Sequence, residues 1–177
     1  ISIFAQNVTI SAAGSSSIRA GDTFSITYRI GNASDVSYIG MDLSFDTGKL
    51  SFVRAASLIP QWSLLSPNEI SQGKIRVVVS DEDQQNPLSG SGDFVRVDFT
   101  VRSNLSSGEN ITVNATEIAV ASFNETIYPQ GVAFSRNLLP PLSSDNSLRS
   151  LTVSNAQISP DFSNSVTNYT ANVPFSV

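Results

Sequence analysis

The sequence predicts an all-β protein: a two-sheet β-sandwich of about nine strands, followed by part of a second β module. Three observations carry this. Apolar residues recur at every second position through most of residues 1–136, and helical spacing is scarce. Turn formers punctuate those runs at Gly21-Asp22, Gly31-Asn32, Thr47-Gly48, Gly90-Ser91-Gly92 and Ser107-Gly108. The alternation then breaks at Pro140-Pro141, since adjacent prolines cannot sit in a central strand and stiffen a linker.

Taken in order, "NVTISA" alternates Val8 and Ile10. "GDTFSITYRIGN" places Phe24, Ile26, Tyr28 and Ile30 on one face and Thr23, Ser25, Thr27 and Arg29 on the other. "SYIGMDLSFD" buries Ile39, Met41, Leu43 and Phe45, and "KLSFV" adds Leu50 and Phe52. "SPNEISQG" (66–73) reads as a short helical turn. "GKIRVVVSD" gives Ile75, Val77 and Val79, and "DFVRVDFTVR" gives Val95, Val97, Phe99 and Val101. "NITVNATEIAVAS" and "ETIYPQGVAF" complete the set.

These segments set three expected parts: a sandwich over 1–136, a Pro/Ser linker over 137–146, and a partial module over 147–177. The last part carries Leu148, Leu151, Val153, Ile158, Phe162, Tyr169, Val173 and Phe175. About 30 residues bury too little apolar area to fold alone, so this stretch is expected to need a partner strand, from further chain or from another copy. The opening "ISIFAQ" is compatible with the tail of a signal peptide, a first strand, or an apolar arm that pairs with another chain.

Composition excludes whole classes of chemistry. Cysteine and histidine are both absent, which removes Ser–His and Cys–His catalysis, disulfides, and thiolate or imidazole metal sites. A net charge of −5 with only two lysines, Lys49 and Lys74, argues against nucleic acid or an anionic membrane surface as a partner. No apolar run approaches the roughly 18–20 residues of a membrane span. Seven Asn-X-Ser/Thr sequons start at Asn7, Asn32, Asn104, Asn110, Asn114, Asn124 and Asn168. With 14 asparagines and 42 serines plus threonines, chance gives roughly three, so N-glycosylation or a Thr/Ser-rich secreted β-protein is indicated. Either reading places the protein outside the cell or on its surface.

A few side-chain groups invite chemical readings. Asp81, Glu82 and Asp83 form a carboxylate run that reads as a solvated loop or, on Asp81 and Asp83, a weak calcium site. No cofactor is expected otherwise. Asp42 and Asp46 lie roughly 13 Å apart along a strand, too far for either glycosidase geometry. Trp62 and Tyr38 are candidates for a sugar-stacking platform, though Ile59, Leu64 and Leu65 around Trp62 point to core.

Several segments, in this order, resemble the cohesin family of β-sandwich receptors. They are "AGDTFSITYRIGN" (20–32), "IGMDLSFDTGKLSFV" (39–53), "GKIRVVVSD" (73–81), "SGSGDFVRVDFTV" (89–101) and "ENITVNATEIAVASFNETIYP" (109–129). The likeness covers about residues 6–136 and implies a jelly-roll-type sandwich of about nine strands. "LRSLTVSNAQISPDFSNSVTNYTANVP" resembles the first strands of a cadherin-like repeat. The cohesin resemblance implies no catalysis and a dockerin-like protein partner that carries its own calcium. Docking would use outward positions of the matching strands: Tyr38, Gly40, Asp42 and Ser44, with Arg76 and Val78 beside them. A second function stays open, a filament or surface-layer subunit in which copies of the chain exchange strands. Carbohydrate binding ranks below both.

Overall fold

A computed structural model describes residues 7–142, 156–161, 163, 166 and 168–172. The chain divides into two units, Ile1–Pro141 and Leu142–Val177. The first holds β1 (Thr9–Gly14), β2 (Thr23–Phe45), β3 (Leu50–Ser57), β4 (Ser63–Ser71), β5 (Lys74–Ser80), β6 (Leu88–Val101), β7 (Asn110–Ser122), β8 (Thr126–Ile127) and β9 (Val132–Asn137).

The long strand β2 organises both layers. Its first part pairs with β1 through Ile26–Gly31 and with β6 from Thr23, and β6 continues to β3. Its last part pairs with β5 through Tyr38–Ser44 and with β7 through Val36–Phe45. Beyond these lie β4 on β5, and β8 and β9 on β7. One layer therefore runs β3-β6-β2-β1 and the other β4-β5-β2-β7-β9, with all pairings antiparallel.

The passage from layer to layer corrects the sequence reading at Gly31-Asn32, where a turn between two strands was expected. The backbone stays extended but bulges, with register shifts on both sides of Ala33 and left-handed φ of 56° at Asn32 and 50° at Asp35. Asn and Asp enter that conformation more readily than other side-chain-bearing residues. The bulges flip the buried parity from even (Ile26, Tyr28, Ile30) to odd (Ile39, Met41, Leu43), so one strand serves both inner faces.

Those faces meet in an aromatic seam. Phe99 packs against Phe24, Phe52 and Phe45 with ring centroids 6.1, 6.0 and 5.1 Å apart, and Phe134 of the opposite layer stacks on Phe24 at 5.8 Å. The buried rings, Phe24, Phe99 and Phe134, each contribute roughly 1.5–3 kcal/mol through area removed from water. Every apolar position expected inside β2, β5 and β6 is buried, except Phe45, which is half-buried at the rim. Leu138 is buried as well, and Leu139 N–H donates to Ile18 O at 2.8 Å, so the first unit closes beyond residue 136.

The helical turn expected over 66–73 is instead the second half of β4 and a tight turn at Gly73, whose φ is +74°. Pro67 lies at a register shift between Leu65 and Asn68 on an edge strand, where a missing N–H is tolerated.

In the second unit, β10 (Gln157–Ser159) and β11 (Thr170–Asn172) form an antiparallel ladder with Ile158 opposite Ala171. The Tyr169 hydroxyl accepts from Ser163 N–H at 3.0 Å and donates to Ser163 O. The expectations for residues 1–6, Leu148, Leu151, Val153, Phe162, Val173 and Phe175 lie outside the described residues.

Candidate functional site

The outer face of the β4-β5-β2-β7 layer carries all six residues singled out from the sequence. Directly opposed residues of a sheet point the same way, so the register fixes its rows. One row is Ser63, Ser80, Tyr38 and Ala121; the next is Leu65, Val78, Gly40 and Ala119. A third is Asn68, Arg76, Asp42 and Thr116, and Lys74, Ser44 and Asn114 follow.

The six residues are not equally available. Asp42 is only 2% exposed, because two cations close over it. Arg76 grips it with both ends of its fork, Nε to Oδ1 at 2.7 Å and Nη2 to Oδ2 at 3.1 Å, and Lys74 Nζ reaches Oδ2 at 3.0 Å. Burial pushes the Asp42 carboxyl up, but the hydrogen bonds and charges of Arg76 and Lys74 outweigh it and hold the group below the usual carboxylate range. Hydrogen bonding and the charge of Asp42 raise the Arg76 guanidinium further, against slight desolvation, with smaller contributions from Tyr38 and Glu117. Glu117 reaches this cluster through a bulge in β7, where its φ is 48°.

Tyr38 does not stand out into solvent. A Cβ added to Gly40 would lie 2.6 Å from Tyr38 Oη and 3.1 Å from its ring, so the ring lies flat over the glycine. An aromatic covering a strand glycine two residues on restores packing that the glycine lacks. Val78 is 8% exposed beside this pair, whereas Leu65, its neighbour on β4, is 48% exposed. On this face Tyr38 therefore covers Gly40, Val78 is nearly closed, and Leu65 is the open apolar group beside them. Sequence reasoning set Leu65 with the core around Trp62, whereas it stands open on the outer face, and it missed Lys74, although extending the alternation Arg76, Val78 back by two residues reaches Lys74. Glu117 was unreachable that way, because its bulge breaks the alternation.

Other candidate groups have structural partners. Asp81 is 4% exposed and accepts Asn86 N–H at 2.6 Å, which fixes the 81–86 turn and leaves Glu82 and Asp83 exposed. Among the described residues no group of three or more Asp, Glu, His or Cys is placed to hold a metal ion. Trp62 is buried and donates Nε1–H to Asn86 O at 2.9 Å, which removes it from any sugar-stacking surface. Asp46 closes the β2–β3 turn by accepting Gly48 N–H at 2.8 Å.

The sequon asparagines all lie at exposed positions. Asn32 and Asn110 have their amides engaged, with Asn7 O at 3.1 Å and Asn137 Oδ1 at 2.9 Å. Asn104 and Asn124 occupy turns, and Asn114 lies on the face described above. Among the described residues no helix is long and apolar enough to cross a membrane.

Solved structures share this architecture. A cohesin module of a Clostridium perfringens family 33 glycoside hydrolase superposes with a TM-score of 0.67 at 14% identity, covering 76% of this chain and 98% of its own. A Clostridium acetobutylicum cohesin gives 0.62 at 22% identity, covering 74% and 91%. The sixth cohesin of Acetivibrio cellulolyticus scaffoldin B, solved in complex with a dockerin, gives 0.62 at 15% identity, covering 74% and 98%. No curated protein matches the chain. Cohesin domains are non-catalytic protein-binding modules, and residues 8–135 match the family model of the cohesin domain, so this chain belongs to the cohesin family.

Proposed function

We propose that the outer face of the β4-β5-β2-β7 layer docks a dockerin-type protein, with Tyr38, Gly40, Asp42, Ser44, Arg76 and Val78 at its centre and Leu65 and Lys74 beside them. The observation that carries this reading is the pre-set surface itself. A flat aromatic lies over glycine, an open leucine adjoins it, and a bidentate ion cluster fixes the charged groups before any partner arrives. Binding such a face needs little side-chain ordering, and a central apolar anchor ringed by polar groups is how most interfaces concentrate their energy. Relatives include a cohesin solved with a dockerin on it. Cohesin kinship and the sequon excess support a location outside the cell, with glycan on the turn sequons Asn104 and Asn124. The second unit reads as the first strands of a cadherin-like repeat.

The test is a titration of the full 1–177 chain against natural dockerin modules in calcium, with Tyr38→Ala alongside. Binding that Tyr38→Ala weakens by about tenfold or more supports the face. Binding that ignores every substitution on it moves the interface elsewhere.

A second reading, strand exchange between copies, is favoured by one observation. A groove of about 520 Å³ opens between Asn7–Ile10 at the start of β1 and residues 127–132. Among the described residues β1 forms a ladder only with β2, so an extended segment entering this groove has strand backbone to pair with. Light scattering separates the readings: a chain that assembles, and ceases to when residues 1–5 or 147–177 are deleted, exchanges strands.

A further inference from the structure

Three turns converge at the end of the proposed docking face beyond Tyr38. They are the β2 bulge at Asn32–Asp35, the turn 81–87 after β5, and the turn 122–125 between β7 and β8. The register brings them together: Val36 is opposite Leu88 of β6 and Ser122 of β7, and Asp81 N–H donates to Ser37 O at 2.8 Å. At the tip of the third turn stands Phe123, 84% exposed, the most exposed large apolar side chain among the described residues.

This ring is displayed on a braced support. Ser122 N–H donates to Glu125 O at 2.9 Å, and Ser122 Oγ accepts from the N–H groups of Asn124 and Glu125 at 3.4 and 3.3 Å. Across from it, Asp35 N–H donates to Ser89 Oγ at 3.0 Å, and Asn86 N–H donates to the Asp81 carboxylate. Between these supports lies a depression of about 220 Å³ lined by Asp35, Ser37, Gln84, Pro87 and Phe123. Its volume suits one aliphatic side chain. The charges around it are unbalanced. Asp42, Asp93, Asp98 and Glu109 each have a cationic partner, whereas Asp35, Glu82, Asp83 and Glu125 on these turns have none among the described residues.

We infer that Phe123 and this depression form a second anchor point that extends the docking face past Tyr38. It takes an apolar side chain of the docked protein flanked by lysine or arginine. The inference rests on the docking reading above, and two features select its occupant. The depression adjoins the end of the sheet face, since Phe123 in its wall follows by two residues Ala121, which lies opposite Tyr38. Asp35 in its wall and Glu82, Asp83 and Glu125 on the surrounding turns, none with a cationic partner among the described residues, attract cations and repel acidic segments, which sets partner choice more than raw affinity.

A yeast-displayed library of natural dockerin modules, loaded with calcium, tests this against the full 1–177 chain. Binders recovered with the native chain are re-measured against Phe123→Ala, Phe123→Tyr, the pair Glu82→Gln and Asp83→Asn, and Leu65→Asp. The expected result is a loss of about tenfold or more with Phe123→Ala, recovery with Phe123→Tyr, and a weaker salt dependence with the neutralised pair. The affected binders should carry an apolar residue next to Lys or Arg. Binders that lose affinity with Leu65→Asp but stay within about twofold with Phe123→Ala overturn the second anchor and leave the docking face standing. A library that yields no binder overturns the docking reading and the anchor with it. Phe123 lies outside the core, so an unchanged melting temperature of Phe123→Ala confirms that a lost contact, not misfolding, is being read.

Discussion

The two outer faces of the sandwich make the same ionic device and differ in what surrounds it. On the β3-β6-β2-β1 layer, Asp98 is 6% exposed and accepts Arg54 Nε at 2.6 Å and Ser25 Oγ at 2.7 Å, with Arg96 Nε at 3.5 Å. On the β4-β5-β2-β7 layer, Asp42 is closed over by Arg76 and Lys74. Burial raises the Asp98 carboxyl, and Arg54, Ser25 and Arg96 bring it below the usual range, as Arg76 and Lys74 do for Asp42. A buried aspartate under two cations is therefore a way of finishing a sheet face in this fold, and by itself marks no binding site. Around Asp98 the rows are mostly polar, with Thr23 bonded to Thr100 and Arg29 to Asp93, and the open apolar side chain there is Val53, alone at the β3 bulge beside Arg54. Around Asp42 it holds Tyr38, Gly40, Val78 and Leu65. The apolar row is what separates a docking face from a solvated one.

The largest effects should come from breaking that row. Val78→Asp or Leu65→Asp is expected to weaken dockerin binding by about a hundredfold, because a desolvated carboxylate at an interface centre lacks a partner. The matched change on the other face, Thr27→Asp, should leave binding within about twofold. Leu65→Asp is the cleaner variant, since Leu65 is half-exposed and its loss should cost the fold less than about 0.5 kcal/mol. Equal losses for Leu65→Asp and Thr27→Asp, measured by calorimetric titration, would mean that the two faces do not divide the labour.

The ion clusters should be equivalent for stability and unequal for binding. Asp42→Asn and Asp98→Asn are each expected to cost about 1–3 kcal/mol in chemical denaturation, through charge-assisted hydrogen bonds made neutral. Only Asp42→Asn should also weaken the docked complex, by about tenfold, as Arg76 and Lys74 lose their anchor.

Acid titration sharpens the same pairing. Both carboxyls titrate lower in the folded chain than the unfolded value of about 3.9, so the unfolded chain binds protons first as pH falls. Their stabilisation is complete above about pH 5, begins to decline near the unfolded pKa, and is gone once the pH drops below the folded values. Each Asn variant should flatten that acid limb and leave the slope near neutrality unchanged. A native chain whose stability already falls between pH 7 and pH 5 would contradict this assignment.

Much of this was legible before any coordinates. Period-2 alternation located the inward faces of β2, β5 and β6 because an antiparallel sandwich buries every second residue. It also turned Tyr38 and Asp42 outward on one strand and Arg76 and Val78 outward on another; the cohesin resemblance supplied the expectation that the two strands share a docking face. What the alternation could not convey was depth. Asp42 and Val78 point outward and are buried even so, Asp42 because Arg76 and Lys74 fold down over it. Bulges at Asn32, Asp35 and Glu117 were invisible for a related reason: each inserts one residue and resets the parity on which the reading depends. Phe123 was passed over because a single aromatic in a turn makes no pattern. Its meaning arises only where three turns, distant in sequence, meet.

The smallest effect tests whether the flat ring of Tyr38 matters as a shape. Gly40 has no left-handed backbone requirement, so Ala fits its main chain, and only the new Cβ conflicts, at 2.6 Å from Tyr38 Oη. That atom is the far end of a flexible side chain, so the ring can lift away at little cost. Gly→Ala at a compatible site stabilises by about 0.4–1 kcal/mol through the unfolded chain, which roughly offsets the lost ring contact. Thermal stability should therefore stay nearly constant. Binding should fall by about threefold to tenfold, because a raised ring spoils the flat row beside Leu65 and Val78. Tyr38→Phe, which keeps the ring and removes the hydroxyl that meets the new methyl, should relieve the conflict in the double variant and restore most of the affinity. If Gly40→Ala binds as the native chain does, the ring acts only as a cover for the glycine, and the row's contribution lies with Leu65 and Val78.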